Sequence, residues 1–187
     1  HLAMEAMEVL KFKGHHISEE EQKAVAIAVL VHDIGHGPFS HALEHTMVDG
    51  ISHEEISVLF MEKLNHVFNQ KLSLAIKIFK NDYPKSFLHQ LISSQLDVDR
   101  LDYLNRDSFY TGVSEGVIGV ERIIKLLNVK NDQLVVDEKG VYSIEKFIVA
   151  RRIMYWQVYL HKTAIAAETM LIQILRRAKY LFSEGQK

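Results

Sequence analysis

Histidines are concentrated in one stretch of the sequence. Residues 31–45 read V-H-D-I-G-H-G-P-F-S-H-A-L-E-H, and the stretch ends at residues 53–55 with H-E-E. Imidazole and carboxylate side chains ligate divalent metal ions without thiols, and the chain contains no cysteine. The stretch therefore indicates a metal site built from histidine, aspartate and glutamate. It holds five of the 11 histidines: His32, His36, His41, His45 and His53.

The first histidine of the stretch follows an apolar run. Residues 24–31 are apolar throughout and predict a buried helix, so His32 and Asp33 lie at its end. Two glycines and a proline in residues 35–38 stop that helix, and the break allows later histidines to approach the same point. A capped helix end with surface histidines is the alternative for an isolated His-Asp pair. The clustering of histidines favours the metal site.

A second group of polar side chains lies on a helix of residues 97–107. Arg100, Tyr103 and Asp107 recur at i, i+3 and i+7, which places a cation, a phenol and an acid on one helix face. A solvated, salt-bridged face is the alternative.

A third group lies on a long helix predicted from Ile144 almost to Phe182. Its members recur at i, i+4, i+8 and i+11, which is one stripe of a helix. Guanidinium and ammonium groups suit phosphate oxygens, and a tyrosine can stack on a sugar. A helix at a subunit interface, with its polar tips reaching solvent, is the alternative. The members are Arg151, Tyr155, Tyr159 and Lys162.

The remaining pattern predicts a mainly α fold with one small β-hairpin. A first helix ends at Gly14, and capping boxes at Ser18 and Ser52 begin two further helices, the second running to about Leu64 with His53 in its first turn. A glycine-rich loop at residues 112–119 is a plain linker or, less expectedly, a phosphate cradle. Further helices are predicted at 71–80 and 86–96, and the hairpin strands at 133–136 and 141–143.

Length and charge exclude several classes of protein. At 187 residues the chain suits one domain, and its net charge of −2 disfavours a general nucleic-acid binder. The apolar run at 24–31 is too short to cross a membrane. The absence of cysteine fits a reducing compartment, so a soluble cytoplasmic protein is expected.

Three blocks of the sequence resemble one protein family. H-D-I-G-H-G-P-F-S-H (32–41) resembles the signature of the HD superfamily of metal-dependent phosphohydrolases, in its deoxynucleoside-triphosphate triphosphohydrolase, or dGTPase-like, branch. D-V-D-R-L-D-Y-L-N-R-D (97–107) resembles a second element of that branch, and R-R-I-M-Y-W-Q-V-Y-L-H-K (151–162) is similar to a third. The resemblance implies a single HD helical bundle over 1–187, and predicts that the family's first metal-binding histidine lies upstream of His1. The expectation is thus a domain truncated at its N-terminus, and possibly at its C-terminus.

The resemblance also implies roles for particular residues. A divalent ion, which the sequence does not resolve among Mg, Mn, Fe, Zn and Ni, is expected on His32, Asp33 and Asp99. The expected catalytic residues are His36, His41, Glu44 and His53, with Glu44 paired to His41 or His53. The expected substrate-binding residues are Arg100, Tyr103, Asp107, Arg151, Tyr155, Tyr159 and Lys162. The other histidines, His89 and His66 among them, are expected at the surface or in packing.

The function implied is hydrolysis of deoxynucleoside triphosphates, such as dGTP, to a deoxynucleoside and triphosphate. Two alternatives stay open: another HD reaction, on a nucleoside monophosphate or a signalling nucleotide, and an inactive nucleotide-binding or assembly module. The expected partners are a nucleotide substrate, a nucleotide activator and further copies of the chain in a homo-oligomer. Neither a membrane nor a nucleic acid is expected as a partner.

Overall fold

The fold is mainly α-helical. The computed structural model describes residues 1–39 and 50–185, so His41, Glu44 and His45 lie outside the described residues. The described helices and a two-stranded antiparallel sheet confirm the predicted fold class. The helices are α1 (Leu2–Phe12), α2 (Glu19–Val31), α3 (His53–Val67), α4 (Ser73–Phe79), α5 (Ser86–Ile92), α6 (Val98–Thr111), α7 (Val120–Leu126), α8 (Val141–Met154) and α9 (Lys162–Ser183).

Both predicted capping boxes are present. The Ser18 hydroxyl accepts a hydrogen bond from the Glu21 N–H, and the Glu21 carboxylate accepts one from the Ser18 N–H. Ser52 and Glu55 repeat the arrangement at the start of α3. These local bonds satisfy N–H groups that the first turn of a helix leaves without partners. They fix where α2 and α3 begin, and therefore where His53 lies.

The core is formed by one face from each of several helices. On α6 the apolar residues Leu101 and Leu104 are fully buried, while Asp99 and Tyr103 on the other side of the helix are partly exposed. A helix with this division buries its apolar stripe and leaves its polar stripe at the surface of the bundle. Further fully buried side chains are Met7, Leu10, Leu88, Leu91, Ile123, Ile124, Leu127 and Met154.

The predicted hairpin is only half correct. Gln133–Val136 is a strand, but its partner is Leu127–Lys130, whereas 141–143 begins α8. Asn131 and Asp132, between the strands, have φ values of 51° and 62°. Two consecutive left-handed residues form the tight turn that matches the twist of paired strands, and asparagine and aspartate tolerate that conformation. The Asn131-Asp132 pair is thus the sequence signal for the observed hairpin.

The predicted long C-terminal helix is broken. α8 leads into a π-helical turn at Tyr155–Tyr159, and α9 begins only at Lys162. His161 is in extended conformation, and its Nδ1 accepts a hydrogen bond from the Thr163 N–H, so it caps α9. Lys162 therefore starts a new helix and does not continue the stripe of Arg151, Tyr155 and Tyr159.

The shorter segments differ from the predictions at their ends. The helices predicted at 71–80 and 86–96 are the shorter α4 and α5. The segment after α5 does not continue to residue 96 as a helix, because Asp97 caps a new helix, α6, with its side chain. The glycine-rich loop ends α6 at Gly112 (φ 72°) and then forms a short 3-10 turn. Among the described residues, no helix is both long enough and apolar enough to cross a membrane.

Candidate metal and phosphate site

His32 and Asp33 lie in the turn that ends α2, and Asp99 lies in the first turn of α6. His32 Nδ1 is 2.7 Å from the Val29 carbonyl oxygen, which can only accept, so Nδ1 carries the proton. His32 Nε2 is then the ring nitrogen with a lone pair. It lies 3.3 Å from Asp33 Oδ1 and 3.9 Å from Asp99 Oδ1. We refer to His32, Asp33 and Asp99 as the ion group.

The spacing of the ion group fits a divalent ion. Imidazole nitrogen and carboxylate oxygen bind such ions at about 2.0–2.2 Å, so two ligands of one ion lie about 3–4 Å apart. The two distances from His32 Nε2 fall in this range. A hydrogen bond from Nδ1 to a backbone carbonyl is also the usual support of a metal-binding histidine. One nitrogen and two oxygens are compatible with several metals, so the donor set does not select one of them.

The electrostatics of the ion group favour a cation. Burial is the largest cause that raises the pKa of the Asp99 carboxyl, and the neighbouring Asp97 and Asp33 raise it further. A charged His32 ring, in place of the neutral ring described above, would act in the opposite direction, as does Arg100. Carboxylates held together in a partly buried place repel each other, and an added positive charge relieves this repulsion.

His36 and His53 lie beside the ion group. Their rings are stacked, with centroids 4.1 Å apart and an angle of 15° between the planes. His36 Nε2 lies 3.7 Å from Asp33 Oδ1. Ligand atoms of Asp33, His36 and His53 all lie within 4.8 Å of one another, so these three form a second candidate metal group that shares Asp33 with the first.

Gly35 brings the loop of the ion group against α3. Its N–H donates to the buried Ser57 hydroxyl at 2.9 Å. A Cβ atom at this position would collide with the His53 carbonyl oxygen and with the Ser57 backbone nitrogen. Only glycine allows so close an approach of two backbone segments. The contact holds the Asp33–His36 loop next to His53.

Arg100 is anchored on one side by Asp97. The Asp97 side chain is only 2% exposed, and it accepts hydrogen bonds from the backbone N–H groups of Ser94 and Arg100 and from the Arg100 guanidinium. The same guanidinium donates to the Ser94 carbonyl oxygen at 2.6 Å. Within the described part of the chain, the buried Arg100 Nε has no hydrogen-bond partner. The cation is therefore held in place one residue after Asp99.

A group of aromatic residues lies farther along α6. The Tyr159 hydroxyl donates to Asp107 Oδ2 at 2.7 Å. The Tyr159 ring packs edge to face against the rings of Tyr103 and Tyr155, with distances of 6.1 and 5.3 Å between ring centroids. Burial is the largest cause that raises the pKa of Tyr159, followed by the hydrogen bond to Asp107. The hydroxyl thus stays protonated and donating. We refer to Tyr103, Asp107, Tyr155 and Tyr159 as the aromatic group.

Arg151 and Lys162 are the remaining predicted residues. The Arg151 guanidinium donates to Gln95 Oε1 at 3.1 Å and lies 5.9 Å from the centre of the Tyr155 ring. It therefore adjoins the aromatic group. Lys162 is exposed at the start of α9. The structure brings Arg151 together with Tyr155 but separates Lys162 from them by the break at 160–161.

A cavity of about 240 Å³ lies beside the ion group. Part of its wall comes from α4 and α5, which carried no motif in the sequence. His89 was expected at the surface or in packing, yet it lines this cavity. The spacing of His89 and Ser93 puts both on one face of α5, but nothing in the sequence indicates that this face meets the ion group. The lining residues are His32, Asp33, His53, Glu54, Phe79, His89, Ile92, Ser93, Asp97, Asp99 and Arg100.

The sequence matches two family descriptions. Residues 1–107 match the HD domain, and residues 118–185 match the HD associated region. The chain belongs to the HD-domain family. The resemblance read from the three sequence blocks is thereby confirmed. The ion group of this HD domain draws on two of those blocks, one at residues 32–41 and the other at 97–107.

Several known proteins are similar to this chain. A phosphohydrolase from Bacteroides thetaiotaomicron, known from a crystal structure, is 62% identical with a TM-score of 0.94, over 100% of this chain and 46% of that chain. An uncharacterized protein from Bacillus subtilis is 39% identical, over 93% of this chain and 42% of its own length. The deoxynucleoside triphosphate triphosphohydrolase SAMHD1 homolog of Dictyostelium discoideum is 33% identical, over 87% of this chain and 35% of its own. The chain thus spans less than half the length of each of these relatives.

Proposed function

We propose that this HD domain binds one divalent ion on His32, Asp33 and Asp99 and hydrolyses deoxynucleoside triphosphates. The products are a deoxynucleoside and inorganic triphosphate. The observation that carries the proposal is the order of polar groups along α6. The ion group lies at the start of the helix, and the aromatic group begins one turn later.

The spacing along α6 suits a nucleotide. Asp99 and Asp107 are eight residues apart, which corresponds to about 12 Å of helix. An α-phosphate at the ion group would leave the sugar beside Tyr103 and Asp107. The distal phosphates would then extend the other way, past Arg100 and into the cavity. This order matches the order of groups in a nucleoside triphosphate, and the name of the relative in Dictyostelium supports the same substrate.

The stacked histidines suit phosphate better than the ion. Two imidazoles that bind one ion point their nitrogens at a common centre, whereas parallel rings present them side by side. His36 and His53, with ring centroids 4.1 Å apart, are therefore assigned to two oxygens of the phosphate chain. His41 and Glu44, the other proposed catalytic residues, lie outside the described residues.

The aromatic group is assigned to the sugar. Asp107 already accepts one hydrogen bond from Tyr159 and keeps further lone pairs for a sugar hydroxyl. The Tyr155 and Tyr159 rings, at right angles to each other, form a corner for the sugar ring. Arg151, which adjoins this group, is assigned to the phosphate nearest the sugar, and Lys162 stays a proposed substrate contact from the start of α9.

The reaction consumes one water. The water oxygen forms a bond to the α-phosphorus, the bond from that phosphorus to the sugar O5′ breaks, and O5′ leaves with a proton as a hydroxyl. When bound, a divalent ion supplies Lewis acidity at the phosphoryl oxygen and lowers the pKa of a bound water. The roles of this chain are to hold the phosphates with His36, His53, Arg100 and Arg151 and to orient the sugar.

Product analysis tests the proposal. Nucleoside and deoxynucleoside triphosphates are incubated with the protein and each of several divalent ions, and the products are separated by chromatography. A deoxynucleoside with inorganic triphosphate is the expected pair. A diphosphate with orthophosphate, or a monophosphate with pyrophosphate, would contradict the proposed cleavage. No turnover with any ion would favour the inactive binding module.

A matched pair of arginine variants tests the phosphate assignment. Arg151→Ala should raise KM for the triphosphate about 10-fold or more, because a charge-assisted contact of about 1.5–3 kcal/mol is lost. Arg152→Ala is the control, since the Arg152 guanidinium lies over the Trp156 ring at 4.3 Å. Equal KM values in both variants would contradict a role for Arg151.

We also propose that copies of the chain assemble and that a nucleotide activates the assembly. Apolar side chains exposed along α9, among them Met170 (66% exposed) and Ile174 (61%), support an apolar contact with a second copy. Sedimentation with and without nucleotide tests both proposals. A monomer under every condition would contradict them.

A further inference from the structure

The cavity has two polar walls that face the same space. One wall is the ion group with His53, and the other comes from α5 through His89 and Ser93. Residues at i and i+4 share one face of a helix, and His89 is in α5 while Ser93 is its C-cap. The α5 wall therefore presents an imidazole and a hydroxyl toward the space beside the ion group.

The orientation of the His89 ring is fixed by the backbone. Its Nδ1 lies 3.1 Å from the Ile78 carbonyl oxygen, which can only accept, so Nδ1 must be the donor. Nε2 is then the ring atom left for a ligand in the cavity. In the ring form with both nitrogens protonated, Nε2 donates as well and can bond to an oxygen of an anion.

Arg100 adds a guanidinium of fixed position to this cavity. Its guanidinium is held by Asp97, a carboxylate that is 2% exposed, and by the Ser94 carbonyl oxygen. A guanidinium held in this way is already in position for an anion and loses little freedom when the anion binds. Imidazole, hydroxyl and guanidinium around one space form a donor set that suits phosphate oxygens.

We propose that His89, Ser93 and Arg100 form a subsite for the phosphate group farthest from the bond that is cleaved. The identity of that group as the terminal phosphate of a nucleoside triphosphate rests on the proposed function. The cavity has room for about eight waters at roughly 30 Å³ each, and hence for a phosphate group with some of its waters. A nucleoside diphosphate lacks this third phosphate group, so the subsite should select triphosphates.

Two substitutions of His89 distinguish the roles of its two ring nitrogens. The amide nitrogen of asparagine can replace Nδ1 and keep the bond to Ile78, but nothing then replaces Nε2. The longer glutamine places its amide nitrogen near Nε2. His89→Asn should therefore weaken binding at least about 10-fold, and His89→Gln should restore part of it. A merely structural role at the Ile78 carbonyl predicts the opposite order.

Calorimetric titration with inorganic triphosphate in the presence of a divalent ion measures the effect. Binding should weaken in His89→Asn and stay at the wild-type level in the control His66→Asn, because His66 is exposed on α3. Binding of a deoxynucleoside diphosphate should be the same in wild type and His89→Asn. Circular dichroism shows whether each variant is folded, and His89→Gln provides the second variant if His89→Asn is not.

The outcomes distinguish this subsite from the proposed function. If the wild type binds inorganic triphosphate through His89 but does not hydrolyse deoxynucleoside triphosphates, the subsite stands and the proposed function fails. If wild type and His89→Asn bind inorganic triphosphate equally, or the wild type does not bind it, the subsite is overturned. Equal losses for diphosphate and triphosphate would also overturn it, because the subsite would then not belong to the terminal phosphate.

Discussion

Two polar clusters of this protein differ in how their charges are balanced. Around Glu21, which is 3% exposed, the carboxylate accepts hydrogen bonds from the Tyr83 hydroxyl at 2.7 Å, the Lys85 ammonium at 2.9 Å and the Ser18 N–H at 2.7 Å. Lys85 also balances the negative charge of Glu21. In the ion group, by contrast, two carboxylates lie near the lone pair of one imidazole, and burial with neighbouring acids raises the pKa of Asp99.

The difference separates a cluster that serves folding from one that serves a ligand. A buried carboxylate whose lone pairs are filled from within the chain holds elements together, here α2 with the segment before α5. Carboxylates gathered around the lone pair of one imidazole gain most from an added cation. Removing a charge should therefore have opposite consequences in the two places.

The largest expected effect is at the ion group. Asp99→Asn should lower turnover at least about 100-fold and weaken metal binding, because a charged ligand is lost. The thermal midpoint should stay unchanged or rise, since repulsion from Asp33 and Asp97 is relieved. Metal content by elemental analysis, activity and calorimetry measure these effects. Asp82→Asn, at an exposed position, is the control, and unchanged metal content in Asp99→Asn would contradict the assignment of the ion group.

The next effect is in stability alone. Glu21→Gln should lower the free energy of unfolding by about 2–3 kcal/mol, because Lys85 loses the partner of a buried ion pair. Activity per folded molecule should be retained. Urea unfolding of this variant and of the exposed control Glu19→Gln measures the difference. A loss of activity without a loss of stability would contradict the conclusion that the Glu21 cluster serves folding and the ion group serves a ligand.

A smaller effect is expected in the aromatic group, which combines an internal bond with a proposed ligand contact. Tyr159→Phe removes the hydroxyl that donates to Asp107, and should raise KM for a deoxynucleoside triphosphate by about 3- to 10-fold and lower stability by about 1 kcal/mol. Steady-state kinetics and urea unfolding should both change. Tyr142→Phe, at an exposed position, is the control. If only stability changes, the aromatic group serves folding, as the Glu21 cluster does, and does not bind the substrate.

The smallest effect is a pH dependence of stability. Burial alone would raise the pKa of Glu21, but the bonds from Lys85, Ser18 and Tyr83 outweigh it, and the pKa is lowered. A lowered pKa in the folded state contributes stability above the unfolded pKa, about 4.3, and this contribution is lost as the pH falls through the folded value. The difference in thermal midpoint between wild type and Glu21→Gln should therefore narrow between pH 6 and pH 3. A constant difference would contradict this.

What the sequence predicted was mostly local. The capping boxes at Ser18 and Ser52 follow from residues three apart, and the position of His32 and Asp33 follows from the apolar run before them. The predicted hairpin places its turn at residues 137–140, between the strands 133–136 and 141–143, whereas the turn is the Asn131-Asp132 pair. The break before α9 has neither glycine nor proline, and a histidine cap there gives little sequence signal.

The cavity is the part of the candidate site that could not be predicted from the sequence. Its second wall depends on how α5 packs beside α6, and no spacing within α5 encodes that contact. His89 therefore looked like any other histidine until the structure placed it opposite the ion group. The spacing of Lys162 and Arg151 was misleading in a similar way. It predicts a shared helix face only if the helix is continuous, and the helix is interrupted between these two residues.

The contact at Gly35 means that the positions of Asp33 and His36 depend on two segments, the loop after α2 and the start of α3. Because the loop backbone touches the backbone of α3, the direction of Asp33 and His36 is set only after α3 has docked. A peptide of residues 19–39 would carry the His-Asp pair without the geometry that the pair has in the protein. The motif is thus not a portable unit, and transplanting it into another helical protein requires the first turns of α3 as well.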